Sequence, residues 1–315
     1  MNAWGRDASF QLAAAHRLAE DLQEAARLLG KLPDPMWADV LARLPKATLI
    51  PKPRTPIIGL WEGTELEDSH RHHSHLASIV PFDTIDLDAP DWRAIVHDSY
   101  VNWIYRGPSL WTGWCIAWAS MLHTRAGHAD AAELWLDILD RLYTNPGHGT
   151  RHDVMFAGLS LVGKQAFDGY GNESGEIMQM DAGMAAVAAV QEMLAHERRG
   201  IVRLFRGAPL RWREVAFRGI RVAGGFLVGG RRTAEHGVEW VEARSLLGGT
   251  LRLESPWGAG AAVRVAMDGV APYAVEPDAR GIFSLDLPKG SRAILQPSTS
   301  ATLPHPPRHV GGTND

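Results

Sequence analysis

The stretch MQMDAGMAAVAAVQEMLAHERRGIVRLF, residues 178–205, carries the change of period on which the fold turns. From about Met178 to Glu197 it reads as one long helix, almost wholly apolar and small-chained between Met184 and Val190. After Gly200 short alternating runs replace helical faces, the first of them Ile201–Phe205.

On the N-terminal side the helical period recurs. Leu12, Ala15, Leu18, Leu22, Ala25, Ala26 and Leu29 hold one face of a segment starting at Ser9, with Gly30 as its stop. Asp34 followed by Pro35 reads as an N-cap and first helical residue, with Trp37, Leu41 and Leu44 on the face and Pro45 as the end. Further helices are expected over 90–105, 109–126 and 129–142, with a short one over 154–162. Gly107-Pro108 and Gly127 serve as short connectors. On the C-terminal side the runs 214–217, 225–228, 238–243, 250–254, 261–266 and 291–296 follow at roughly ten-residue spacing with Gly and Pro turns, the mark of an antiparallel sandwich. The reading is an α+β multidomain chain: a helical domain over 1–199, an antiparallel β-sandwich over 200–297 and a disordered tail over 298–315.

Composition narrows the function classes. The 315 residues carry 32 basic and 36 acidic side chains for a net charge of −4, so no basic excess points to nucleic acid or to an anionic membrane surface. At 45% hydrophobic and 22% charged, the chain is globular. No apolar run is long enough to span a bilayer, which takes about 18–20 residues. The first residues lack the pattern of a secretory signal, which makes the cytoplasm the default, with secretion or the periplasm if an upstream segment exists. A single cysteine, Cys115, excludes intramolecular disulfides and cysteine-based zinc sites.

Three segments carry the chemistry. His70-Arg71-His72-His73-Ser74-His75-Leu76 follows Glu62, Glu65, Glu67 and Asp68. Such density of imidazole and carboxylate is costly to bury unpaired. It reads as a solvated loop, as a zinc site through His70, His72 and His75, or as a polyol-binding loop in which His and Arg donate to adjacent hydroxyls beside Trp faces. Second, Asp181 lies in the first turn of the Ala-rich helix, where the dipole favours negative charge. It suits a general base that activates water, though position alone favours a simple helix cap. Third, Trp111, Trp114 and Trp118 recur at helical spacing as an aromatic face, of which Trp111 and Trp114 are the pair placed to line a cleft, while Cys115 reads as packing.

Taken together, these segments resemble glycoside hydrolase family 95, the inverting α-L-fucosidases and their α-L-galactoside-cleaving relatives. The family motif H-R-H-x-S-H-L is matched completely by His70 to Leu76. T-G-W-S-x-A-W is matched by Thr112 to Trp118 with Cys115 in place of Ser. Q-I-D-G-N-F-G keeps only Gln179 and Asp181 in Gln179 to Ala185. Downstream, Pro209 to Trp212 and Gly219 to Phe226 resemble the family's C-terminal β-domain. The resemblance implies a six-hairpin (α/α)6 toroid, here partial, followed by the β-sandwich. It implies Asp181 as general base, Arg71 and His72 on sugar hydroxyls with His70, His75, Trp111, Trp114 and Gln179 around the substrate, an oligosaccharide or glycoconjugate substrate, and no metal or cofactor. The family's general acid lies N-terminal to the region matched, so Glu62 is the local candidate, with Glu173 and Glu176 behind it. A partial toroid also leaves apolar helix faces open, which predicts self-association or an N-terminal partner.

Overall fold

Two helix ends in the first two hundred residues, the start at Asp34 and the close at Gly127, fall where capping chemistry puts them. The computed structural model describes residues 5–154 and 177–298. Helix α1 spans Ser9–Leu28 and α2 spans Pro35–Arg43, the latter capped by the Asp34 carboxylate, which accepts from the Met36 amide at 2.8 Å. A two-stranded ribbon pairs β1 (Leu49–Ile50) with β2 (Ile57–Ile58). Three helices follow: α3, Pro90–Arg106; α4, Gly113–Ala126; and α5, Ala129–Leu142. Gly127 closes α4 in the left-handed conformation at φ 78°. Helix α6 spans Met180–Leu194.

Two helical readings need correction. The buried stripe of α1 is Ser9, Leu12, Ala13, His16 and Ala19, whereas Leu18 and Leu29 are exposed. Polar bonds to backbone turn the helix. The Ser9 hydroxyl donates to the Gly59 carbonyl at 2.7 Å, and the His16 ring bonds the Leu44 carbonyl at 2.9 Å. Helix α6 stops at Leu194 rather than near Glu197, because Ala195–Arg198 is already strand β3. It pairs with β4, Ile201–Leu204, across Arg199 and Gly200 at φ 53° and 75°. Two successive left-handed residues make the two-residue hairpin that matches strand twist, so the chain must be extended on both sides of them. The short helix expected over 154–162 and the tail from residue 299 lie outside the described residues.

The chain divides into two compact units, one of residues up to Met193 with Arg206–Pro209, the other of Leu194–Phe205 with residues from Leu210 on. In the first, α4 is buried on all sides from Cys115 to Thr124, the property of a core helix rather than a surface one. Ile116, Leu122, Trp103, Tyr143, Ile58 and Leu76 are among its fully buried neighbours and members. The outward face of α6, Met180, Met184 and Val187, is apolar and exposed.

In the second unit, β5 (Glu214–Val222), β6 (Phe226–Thr233), β7 (Gly237–Ser245), β8 (Gly249–Glu254), β9 (Val263–Met267), β10 (Val270–Val275), β11 (Ile282–Leu287) and β12 (Arg292–Pro297) complete two sheets. Their orders are β10-β9-β12-β7-β6-β5 and β11-β8-β4-β3. Pairing is antiparallel except at β4 and β8, which run parallel through Val202 and Leu253, a departure from the wholly antiparallel expectation. Among the described residues no helix is long and apolar enough to cross a membrane.

Candidate active site

The polar loops of the helical unit meet at the first turn of α4, and a glycine lets them do so. A Cβ on Gly113 would stand 2.2 Å from the Arg151 carbonyl oxygen, 3.1 Å from the Gln179 amide oxygen and 3.4 Å from the Ala182 Cβ. Only hydrogen fits there. The Gly113 amide donates to the His152 carbonyl at 3.2 Å. The next amide, Trp114, donates to the Gln179 side-chain oxygen at 2.9 Å. Thr112, the residue preceding the helix, makes no side-chain cap bond, so Gln179 from a distant loop satisfies a helix donor instead. The Cys115 thiol donates to the Arg71 carbonyl. Burial pushes that thiol's pKa up, which fits a neutral donor rather than a nucleophile.

The imidazole-rich loop is thereby fixed from beneath. Ser69 donates to the Gly107 carbonyl at 2.7 Å and accepts from the Leu110 amide at 3.0 Å. His73 points inward among Trp103, Trp111 and Trp118, with ring centroids 4.6–5.3 Å away. Its Nδ1 accepts from the Trp103 indole at 3.0 Å, and its Nε2 faces the Cys115 carbonyl at 2.9 Å, so the ring is neutral with Nε2 protonated. Burial lowers its pKa to about 3. His75 is likewise buried and neutral, its pKa also lowered to about 3 by desolvation. Neither of its nitrogens has a hydrogen-bond partner among the described residues.

Each residue singled out in the sequence can now be located. His70, Arg71 and His72 are exposed on the loop. Partial burial, then the charges of His70, Arg71 and His152, lower the His72 pKa. Trp111 is buried and stacked on Trp103 at 5.4 Å, while Trp114 keeps partial exposure. In this arrangement His75 and Trp111 belong to the core and offer no face to solvent. Asp181 is exposed in the first turn of α6, two residues beyond Gln179. Glu62 stands in an exposed turn and faces Arg6 at 3.8 Å. Glu173 and Glu176 lie outside the described residues. Among the described residues no group of three or more His, Cys, Asp or Glu is placed to hold a metal ion, and His75 is buried in the core while His70 and His72 are exposed.

The sequence reading passed over one pair, His152 and Asp153. The backbone around it is clamped: Arg151 donates to the Tyr143 carbonyl at 2.7 Å, and His152 to the Ile177 carbonyl at 2.9 Å. The Gln179 amide donates to the Thr150 carbonyl at 2.9 Å, and the Thr150 hydroxyl donates to the Gln179 carbonyl at 2.7 Å. Asp153 is fully buried, and its Oδ1 lies 2.6 Å from His152 Nδ1.

One comparison with known proteins shows a family, and the others add little to it. The family model for the glycosyl hydrolase family 95 catalytic domain matches residues 8–194. No curated protein matches the chain. Among solved structures, the crystal structure of Ara127N-Se, a GH127 beta-L-arabinofuranosidase from Geobacillus stearothermophilus T6, is 13% identical with a TM-score of 0.21. That match covers 37% of this chain and 18% of the other, too slight a likeness to bear on the reaction.

Proposed function

The chain belongs to glycosyl hydrolase family 95, and from that premise we propose that its helical unit hydrolyses a terminal α-L-fucosyl or related sugar with inversion, Asp181 acting as general base. The observation that carries this reading is the meeting of two loops on adjacent residues of α4. The Arg71 carbonyl sits on Cys115 and the Gln179 side chain on Trp114. On this reading the loop bearing His70, Arg71 and His72 and the turn bearing Asp181 open at one helix end, and a single sugar ring reaches both. His70, Arg71 and His72 hold ring hydroxyls, and the half-exposed Trp114 offers an aromatic face. Gln179, His75 and Trp111 act from behind, holding the contact residues in place.

Inversion needs a second carboxyl group roughly 6.5–9.5 Å from the base, one protonating the leaving oxygen while the other takes a proton from the attacking water. Glu62 is the acid proposed from the sequence, with Glu173 and Glu176 as alternatives. The helices form part of an (α/α)6 toroid whose open faces, including Met180, Met184 and Val187 of α6, are covered by a second copy or an N-terminal partner, and the two sheets form a β-sandwich. A second reading, carbohydrate binding without turnover, is favoured by one observation: Glu62 is exposed and faces Arg6.

Hydrolysis of p-nitrophenyl α-L-fucoside, beside calorimetric titration with L-fucose, separates them. Asp181→Asn is expected to lower the hydrolytic rate by at least about a hundredfold, the lower range for a lost general base, while leaving L-fucose binding within about twofold. Undiminished turnover in that variant overturns the base assignment. Binding by the wild type with no turnover favours the second reading.

A further inference from the structure

We infer that His152 is a sugar contact of this same site, its Nε2 hydrogen-bonding a ring hydroxyl, and that Asp153 is the positioning residue that aims it. The inference rests on the reading of the site as carbohydrate-binding and adds a residue outside the motifs that suggested that reading. It stands on four features of the geometry.

First, the His152 Nδ1 is 2.6 Å from a carboxylate oxygen of Asp153, so the proton on that side lies on Nδ1 and the Nε2 points away from the carboxylate. Second, the two side chains differ sharply in exposure, 24% for His152 against 1% for Asp153. The imidazole reaches solvent and the carboxylate behind it does not. Third, the remaining Asp153 oxygen, Oδ2, is buried with no hydrogen-bond partner among the described residues. A buried carboxylate with one bond among the described residues is costly to the fold. A packed core would not retain it for stability, whereas a carboxylate that orients an imidazole is a recurrent arrangement at working sites. Fourth, the backbone carbonyl of His152 accepts from Gly113, the first residue of α4, and its ring lies within electrostatic reach of His72. The ring therefore stands at the helix end where the Arg71 loop and the Asp181 turn meet.

The other inward imidazoles of the unit do not share this design. His73 spends both nitrogens on Trp103 and the Cys115 carbonyl, and His123 faces His128 at 3.4 Å. His152 combines an anchored Nδ1, an Nε2 with no partner among the described residues, and access to solvent. A neutral imidazole so held accepts from a sugar hydroxyl, and a protonated one donates to it. Either bond fixes one hydroxyl relative to the loop.

The test uses the full chain and L-fucose as probe, with the Asp181→Asn background to prevent turnover of longer substrates. His152→Ala is expected to weaken L-fucose binding about tenfold in calorimetry, the effect of losing one well-aimed hydrogen bond, and His152→Gln to restore part of it. Nitrogen-15 NMR of the histidine rings supplies the second readout. In the wild type the His152 Nε2 resonance moves on addition of L-fucose, and in Asp153→Asn the ring loses its fixed tautomer and binding falls toward that of His152→Ala. L-fucose binding by His152→Ala equal to wild type, or an Nε2 resonance indifferent to saturating L-fucose, overturns the inference while leaving the hydrolase reading intact. Absence of any binding or turnover in the wild type overturns the carbohydrate reading first and this inference with it. Should His152→Ala fail to fold, the wild-type nitrogen titration decides alone.

Discussion

The two ends of helix α4 are built on opposite plans. At its C-terminal end Arg125 forms a two-pronged pair with Glu192, both contacts at 2.7 Å, and stands 3.8 Å from Asp83. Charge there is answered by charge. At its N-terminal end the bonds run from side chains to backbone: Gln179 to the Trp114 amide, Cys115 to the Arg71 carbonyl, His73 to the Cys115 carbonyl. There the carboxylates are left over, Asp181 in solvent and Asp153 with one buried oxygen lacking a partner among the described residues. One end is held by paired charges, and the other by side chains bonded to backbone with two carboxylates beside it. On the proposed function, that contrast separates scaffold from site.

Breaking the paired end should cost stability and little else. Arg125→Met removes the cation and leaves Glu192 and Asp83 facing each other's charge. The Arg125 side chain is only 9% exposed, and the 21% exposure of Glu192 softens the loss. About 2–3 kcal/mol of unfolding free energy should go, somewhat under the value for a fully buried pair. Urea denaturation measures it. At saturating substrate and below the melting range, kcat should stay within about twofold of wild type, because the lost contacts lie a helix length from Asp181. A fall in kcat as large as the one expected for Asp181→Asn would erase the distinction between the ends.

The second prediction sharpens the contrast through pH. His73 and His75 both have folded pKa values lowered to about 3 by burial, against 6.5 for a solvated ring. Above pH 6.5 both states are neutral and the two histidines contribute no pH dependence. Below it the unfolded chain takes up protons that the folded one refuses, so stability falls with falling pH down to about 3. Each histidine adds a slope of up to about 1.4 kcal/mol per pH unit. His73→Phe removes one titrating group, and denaturant melts between pH 4 and 6.5 should show a correspondingly shallower slope. An unchanged slope would mean that His73 is protonated in the fold, contrary to its two hydrogen bonds.

How much of this was legible beforehand depends on the range of the interaction. Asp34 capping the Met36 amide and Gly127 closing α4 are local chemistry, and the sequence announces them. The same holds for the shift from helical to strand period near residue 200. Its position was displaced by a few residues, because the hairpin demand of Arg199 and Gly200 outweighs the helix propensity of Ala195 to Glu197. Strands β10 and β11 both escaped notice, β10 with almost every residue exposed and β11 although Ile282, Phe283, Leu285 and Leu287 are buried. The burial of Trp111 and His75 depends on Trp103, Trp135 and the rest of the core, none of it adjacent in sequence. His152-Asp153 was invisible for another reason. In an extended chain neighbouring side chains point to opposite faces, so an adjacent His and Asp rarely bond, and only the bend at these residues brings them together.

The smallest effect probes the seam between the two loops. Gln179 stands where the family motif keeps Gln, and its side-chain oxygen caps the Trp114 amide 65 residues away. Gln179→Ala removes a helix cap, which costs about 1 kcal/mol. A thermal melt would register that as a modest fall, smaller than for Arg125→Met. The catalytic consequence should be out of proportion to it. The turn leading to Asp181 loses one of the bonds that tie it to the helix end shared with Arg71, and the Thr150 contacts to the Gln179 backbone remain as the others. With Asp181 as the proposed base, a displacement of a fraction of an ångström takes it from its water, so kcat should drop about tenfold or more while L-fucose binding, assigned to the opposite loop in the proposal, weakens less. If kcat and L-fucose affinity fall together by the same factor, Gln179 touches the sugar directly and the seam is part of the contact surface. If only the melting temperature moves, then the bond between the two loops holds the fold and does not aim the base. That outcome would make the N-terminal end of α4 as purely structural as the Arg125 end.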